Sequence, residues 1–433
     1  MLVAKPGRRE SLVIRGARVL DPVEGIDATL DVRIDNGVIA ELGQTAGAND
    51  HRVVEAARLL LAPAFVDPHV HLRTPGREDE ETIASGTEAA AAGGYGAVLA
   101  MPNTDPVVDS AAVLGALIET ARAEALVPVG FLAAITKGQA GGELSEMGEL
   151  AERGAAGFTD DGRPVVEPVV MRRALQYSAV AERPLAVHCE EPTLSRGGQM
   201  HEGEVSARLG LAGWPSIAES VMVARDLALA KYEGRPLHLL HLSARESVDL
   251  VRRARADGAH VFAEVTPHHL CLTDEAVLSL DPNLKMSPPL RAGEDRRALV
   301  EALRDGTVAA VGSDHAPHAR HEKEAPFEAA PFGVTGLETA FAALYTHLVE
   351  PGLLALETLL ERMSAGPARA YGLDPPRIAV GAEANLVLLD PAAVRRVGEA
   401  SFRSRSANSW LLGARLKGGV RMTVAAGRTV FEA

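Results

Sequence analysis

The sequence predicts an α/β protein: a (β/α)8 TIM barrel carrying a small composite β-sandwich domain made from the N- and C-terminal segments. Three observations carry that prediction. Between residues 61 and 374, eight short apolar runs alternate with helical patterns. The flanks, 11–60 and 375–433, alternate apolar and polar residues with a period of two and show little helix. The ends of the eight runs collect histidines and aspartates. A chain of 433 residues is long enough for such a barrel plus a small second domain.

The runs, in order, are LAPAFVDPHVH, YGAVLAMPN, VPVGFLAAIT, GAAGFTDD, RPLAVHCE, PLHLLHLS, HVFAEVTPHH and VAAVGSDHAPH. They are apolar with little alternation, as parallel strands buried on both faces must be. Between them lie AAVLGALIETARAEA, PSIAESVMVARDLALAKYEG, ESVDLVRRARADG and EDRRALVEALRDG. Each repeats apolar residues at i, i+3, i+4 and i+7, and three end in Gly, the residue that most easily terminates a helix. The terminal stretches SLVIRGARVLDP and KGGVRMTVAAGRTVFEA read as strands and turns.

Composition narrows the function. A formal net charge of −14 argues against nucleic acid or an anionic membrane as principal partner. There is no apolar signal region near the start and no run of membrane-spanning length. The two cysteines, Cys189 and Cys271, exclude a disulfide framework and a four-cysteine zinc site; both read as buried small hydrophobes in a reducing, cytoplasmic setting.

In a (β/α)8 barrel the chemistry sits where the strands end. Strand one ends in His69, His71 and Arg73, at alternate positions that share one face. Strand two ends at Asn103, strand four at Asp160 and Asp161, strand five at His188, strand six at His241, and strand eight at Asp314 and His315 followed by His318. Nitrogen and oxygen ligands without a thiolate suit Zn²⁺ and are compatible with Mn²⁺ or Co²⁺. Six ligands exceed the needs of one catalytic ion. A pair of ions about 3.5–4 Å apart, sharing a carboxylate and a hydroxide, accounts for them and implies hydrolysis. Asp314 is then expected to take the proton of the attacking hydroxide and pass it to a departing nitrogen.

The set DPHVHLRTPG, MPNT, FTDDG, AVHCE, GGQMHEG, HLLHLS, EVTPHHL, KMSPPLR, SDHAPHA and APFGVTGLETA resembles the amidohydrolase superfamily and, within it, the bacterial dihydroorotases, over most of residues 60–340. The resemblance implies reversible ring opening of (S)-dihydroorotate to N-carbamoyl-L-aspartate, the third step of pyrimidine biosynthesis. It implies two Zn²⁺ per subunit, with His69, His71 and Asp314 on one, His188 and His241 on the other, and Asp161 with a hydroxide bridging them. Asp161 is preferred to Asp160 because the family's ligand directly precedes the glycine. Arg73 and Asn103 would grip the substrate carboxylate, and His318 with the backbone of Phe332 and Gly333 would hold the ring. Ser287 stands where the family usually carries asparagine, which implies weaker substrate binding. Strand four lacks the carboxylated lysine of hydantoinases and allantoinases. A non-catalytic scaffold for aspartate transcarbamoylase and another cyclic amidase are the competing readings, and a homodimer or a transcarbamoylase complex is the expected assembly. Elsewhere, Glu322 to Glu324 read as solvated surface, His268 and His269 as support or loop packing, and Trp214 as an anchor for the helix after it.

Overall fold

The structure, a computed structural model, describes residues 1–43 and 51–433; residues 44–50 of the 11–60 segment lie outside it. All eight apolar runs contain a strand: Phe65–Val70, Tyr95–Ala100, Val129–Ala133, Gly157–Phe158, Leu185–Val187, Leu237–Leu239, Val261–Val265 and Ala310–Val311. They pair in chain order, every neighbour parallel. The ring closes where Val70 bridges His315 and the His71 amide donates to the His315 carbonyl at 2.9 Å. Closure therefore brings the segment bearing His69 and His71 beside the one bearing Asp314 and His315.

The four helical patterns appear as Ala111–Glu124, Ile217–Glu233, Arg245–Ala256 and Gly293–Asp305. Ser110 caps the first by accepting the Val113 amide, and Gly234 and Gly306 end two others in the left-handed region (φ 63° and 85°). At the barrel base Phe65 meets Tyr95 edge-on at 5.7 Å and stacks on Phe341 at 5.5 Å, contacts worth about 0.5–1.5 kcal/mol beyond area burial. No described helix is long and apolar enough to cross a membrane.

The terminal segments build one eight-stranded sheet. Leu12–Asp21, Ile26–Asp35, Val38–Gly43, Arg52–Glu55 and Leu60–Pro63 come from the start of the chain. Leu386–Arg396, Arg415–Ala425 and Arg428–Glu432 come from its end, and Leu60–Pro63 pairs with Leu386–Arg396 to join the two sets. Alternation decides what each face does. Leu60, Ala62, Val387 and Leu389 pack into the barrel core, while Leu61, Leu386 and Leu388 point the other way into a separate core with Ile14, Ile34 and Ile39. For strands far apart in the sheet to share that core, the sheet must fold over itself. Its ends do meet: the Ile39 amide donates to the Ala382 carbonyl, and a Cβ at Gly37 would lie 2.9 Å from the Gly427 Cα. The sandwich is thus a single continuous sheet folded onto its own inner face.

Candidate metal centre

Three strand ends deliver the four histidines and two deliver the aspartates, and all six residues are buried. The two oxygens of Asp161 face different partners. Its Oδ2 lies 3.7 Å from Nε2 of His69 and 3.7 Å from Nε2 of His71. Its Oδ1 lies 3.7 Å from Nδ1 of His188 and 3.5 Å from Nε2 of His241. Asp314 Oδ1 approaches Nε2 of His71 at 3.2 Å and Nε2 of His69 at 3.5 Å. Potential ligand atoms of His69, His71 and Asp314 fall within 4.8 Å of one another, as do those of His69, Asp161 and His241.

Asp160, one residue earlier, is turned away. It accepts the amides of Ile135 and Thr136 at 2.8 and 3.1 Å and the Thr136 hydroxyl, tying strand four to the end of strand three.

Burial opposes charge on His69, His188, Asp161 and Asp314. Nevertheless Asp161, Asp314 and Glu264 together hold the His69 imidazole well above its ordinary pKa, and the imidazoles hold Asp161 and Asp314 far below the usual carboxylate range. The centre is therefore an electrostatic trap for positive charge. Nε2 of His69 is buried without any hydrogen-bond partner, although carboxylates stand around it. A buried nitrogen in that position is costly unless something binds its lone pair, so the donor set fits divalent cations.

Three residues of the site, Arg73 (φ 55°), His241 (φ 29°) and Asp314 (φ 47°), have the left-handed backbone that L-residues avoid. Strain of this kind persists only where surrounding contacts enforce it.

The expected substrate residues share one cavity of about 200 Å³ with the ligands: Arg73, Asn103, Ser287, His318, Phe332 and Gly333 all line it. Arg73 spends its Nε on the Pro317 carbonyl (3.1 Å) and on Glu80 (3.0 Å). Its Nη1 has no partner among the described residues. His318 donates from Nε2 to the Phe332 carbonyl at 2.7 Å, and its Nδ1 faces Glu80 at 3.1 Å. Gly333 has φ 116°, and a Cβ there would come within 2.7 Å of the Ala316 Cβ. Asn103 is differently employed from expectation: its Oδ1 accepts from Nδ1 of His71 at 2.9 Å and its amide nitrogen donates to Asp161 at 3.3 Å.

Several supporting carboxylates escaped the sequence reading. Glu264 bonds Nδ1 of His69 at 2.7 Å, Glu190 bonds Nε2 of His188 at 2.8 Å, and Glu80 joins Arg73, Arg77 and His318. A glutamate inside the apolar run HVFAEV is the one signal that could have exposed Glu264. Lys323 also differs from expectation. It is buried rather than solvated, because its ammonium caps the Pro282 and Pro331 carbonyls at 3.0 and 2.8 Å and so pins the loop bearing Phe332. Trp214 meets the Phe332 ring edge-on at 5.9 Å and its carbonyl accepts from Arg291, so it supports that loop. His269 bonds Thr266 and the Pro288 carbonyl, which is loop packing.

Comparison with known proteins follows the same lines. A family model described as Dihydro-orotase-like matches residues 57–247, and one described as Amidohydrolase family matches 222–431. The chain is 44% identical to a dihydroorotase of Syntrophus aciditrophicus over 97% of its own length and 99% of that protein's. It is 46% identical to a dihydroorotase of Anaeromyxobacter dehalogenans over 97% of this chain and 98% of that one. In structure it resembles the L-hydantoinase (dihydropyrimidinase) of Arthrobacter aurescens, with TM-score 0.87, 26% identity, and 98% and 96% of the two chains covered. The dihydropyrimidinase of Brevibacillus agri NCHU1002 shares the fold at TM-score 0.84 and 23% identity, over 98% and 95% of the chains.

Proposed function

The chain belongs to the dihydroorotase family of amidohydrolases, and from that premise we propose that it interconverts (S)-dihydroorotate and N-carbamoyl-L-aspartate, the third step of pyrimidine biosynthesis. The observation that carries the reading is the placement of Arg73 in the cavity whose wall also bears Asp161 and Asp314. A cyclic amide with a carboxylate substituent needs both a hydrolytic centre and a cation beside it.

We assign His69, His71 and Asp314 to one Zn²⁺, His188 and His241 to a second, and Asp161 to both. Such ions supply Lewis acidity and a water ionised at neutral pH. Every other role belongs to the chain. Asp161 directs one oxygen to each half of the histidine set. Arg73 offers its terminal nitrogens as a fork for the substrate carboxylate, and the Pro317 carbonyl fixes the angle of that fork through Nε, with Glu80 beside it at 3.0 Å. His318, next to Arg73, and the backbone at Phe332 and Gly333 line the same cavity and would hold the ring. Asp314 is the general base: its carboxylate takes the proton of the attacking water and returns it to the ring nitrogen as the amide C–N bond breaks. Asn103 orients His71 and Asp161 and faces the same cavity beside Arg73, where it would help hold the substrate carboxylate. Ser287 lines the wall with a single hydroxyl, so substrate binding there is weaker than an asparagine would provide.

The hydantoinase-like reading has the fold on its side but lacks a lysine at the end of strand four, where Asp161 stands. We place the functional barrel at 61–374 and the terminal domain at 11–60 with 375–433, in a cytoplasmic enzyme.

Hydrolysis of dihydroorotate by the purified protein, before and after chelation and Zn²⁺ restoration, tests the proposal, with dihydrouracil and hydantoin as uncharged controls. Metal-restorable activity on dihydroorotate alone is expected. Equal activity on the uncharged rings would overturn the role of Arg73, and inactivity on all three would favour a scaffold subunit.

A further inference from the structure

We infer that Glu264 is a positioning residue of the metal centre, orienting His69 and His241 while His238 holds it in register. The inference rests on the reading of this centre as a metal site. Glu264 lies in the seventh barrel strand and is fully buried, as are His69 and His238 within about a percent. Its Oε1 stands 2.7 Å from Nδ1 of His69, and its Oε2 stands 2.8 Å from Nε2 of His238.

A carboxylate only accepts, so both rings must donate to it. That fixes a proton of His69 on Nδ1 and makes Nε2 the nitrogen available to a metal ion. Nε2 is the buried nitrogen without a partner that faces Asp161 and Asp314. Oε1 also lies 3.4 Å from the backbone amide of His241, the ligand residue held at φ 29°. The eighth strand is cut back to admit this group: a Cβ at Gly312 would meet Glu264 Cδ and Oε1, and the His69 Cβ, all at 3.1 Å.

One carboxylate thus touches strands one, six and eight from strand seven. An apolar side chain would fill the same space without burying a charge. Its retention makes sense if the task is to aim a ligand.

The test compares Glu264→Gln, Glu264→Asp and His238→Gln with the wild type. An amide has one acceptor and a donor face, so Glu264→Gln serves one ring and repels the other. Its Zn²⁺ affinity, read by competition with a chromophoric chelator, is expected to fall about 10–100-fold, with a changed visible spectrum in the Co²⁺-loaded form. Glu264→Asp keeps both acceptors at shorter reach and should fall between. His238→Gln should lose less, since the bond to His69 remains. A folded Glu264→Gln with wild-type Zn²⁺ affinity and Co²⁺ spectrum would overturn the inference. Should that variant not fold, wild-type affinity in both other variants would overturn it equally. A wild type that retains no metal would instead sink the reading of the centre itself.

Discussion

Replacing Gly333 by alanine adds one methyl group at the edge of the cavity and isolates the loop from the metal centre. The backbone there has φ 116°, and the new Cβ would lie 2.7 Å from the Ala316 Cβ and 3.2 Å from Nε2 of His318. Two methyl carbons rest at about 3.5–4.0 Å, so the contact is short by roughly 1 Å. Neither neighbour yields easily. The Ala316 amide is bonded to Val334, and its carbonyl accepts from Asn408; His318 is held by the Phe332 carbonyl and Glu80. The unfavourable φ costs about 1–2 kcal/mol and the overpacking about 1–3, a total of about 2–5 kcal/mol. Shifting Phe332 and Gly333 outward is cheaper than unfolding the barrel, so the loss should appear in substrate positioning. A displacement of about 1 Å is expected to lower kcat/KM about 100-fold. Steady-state hydrolysis of dihydroorotate, with bound metal and thermal unfolding measured in parallel, gives the readout. Bound metal should be unchanged, because the atoms nearest the new Cβ belong to Ala316 and His318 and not to the assigned ligands. A kcat/KM within about twofold of wild type would refute the steric reasoning.

Asp314→Asn removes the base and is expected to reduce kcat by about 10²–10⁴, with circular dichroism unchanged; substantial residual turnover would assign proton transfer elsewhere. Arg73→Gln removes a charged donor pair worth about 1.5–3 kcal/mol, so KM for dihydroorotate should rise about 10–100-fold while any activity on dihydrouracil is unaffected. Glu338 provides a pH test away from the centre. Burial pushes its carboxyl up to about 7, although it accepts the amides of Arg403 and Ser404. The folded chain therefore binds a proton between about pH 4.5 and 7 that the unfolded chain has released, and stability falls as pH rises through that window. Glu338→Gln should abolish this loss: its stability relative to wild type, from urea unfolding at pH 5 and pH 8, should improve by about 3 kcal/mol across the interval. No change in the difference would refute the raised value.

The eight barrel strands were legible because each is a contiguous apolar run whose period reflects burial on both faces, a local property. Barrel topology then makes the positions of His69, His71, His188, His241 and Asp314 follow from chain order alone, since parallel strands all end on one rim. What the sequence could not decide depends on groups distant along the chain. Asp160 and Asp161 are adjacent and chemically identical; the family resemblance favoured Asp161, but the physical choice is made by the amides of Ile135 and Thr136, which capture one carboxylate and leave the other to the histidines. Asn103 lines the cavity as its position implied, but that its amide also bonds His71 and Asp161 could not be read from position alone. Lys323 sits in a charged run that reads as solvated, yet two carbonyls of the folded loops bury it. Glu264 is the clearest case: it lies inside an apolar run, but only closure of the barrel brings His69, 195 residues away, to its oxygen. Strand identity and rim position are set by local pattern, while the direction of each polar side chain is set by whichever unsatisfied partner tertiary closure brings within reach.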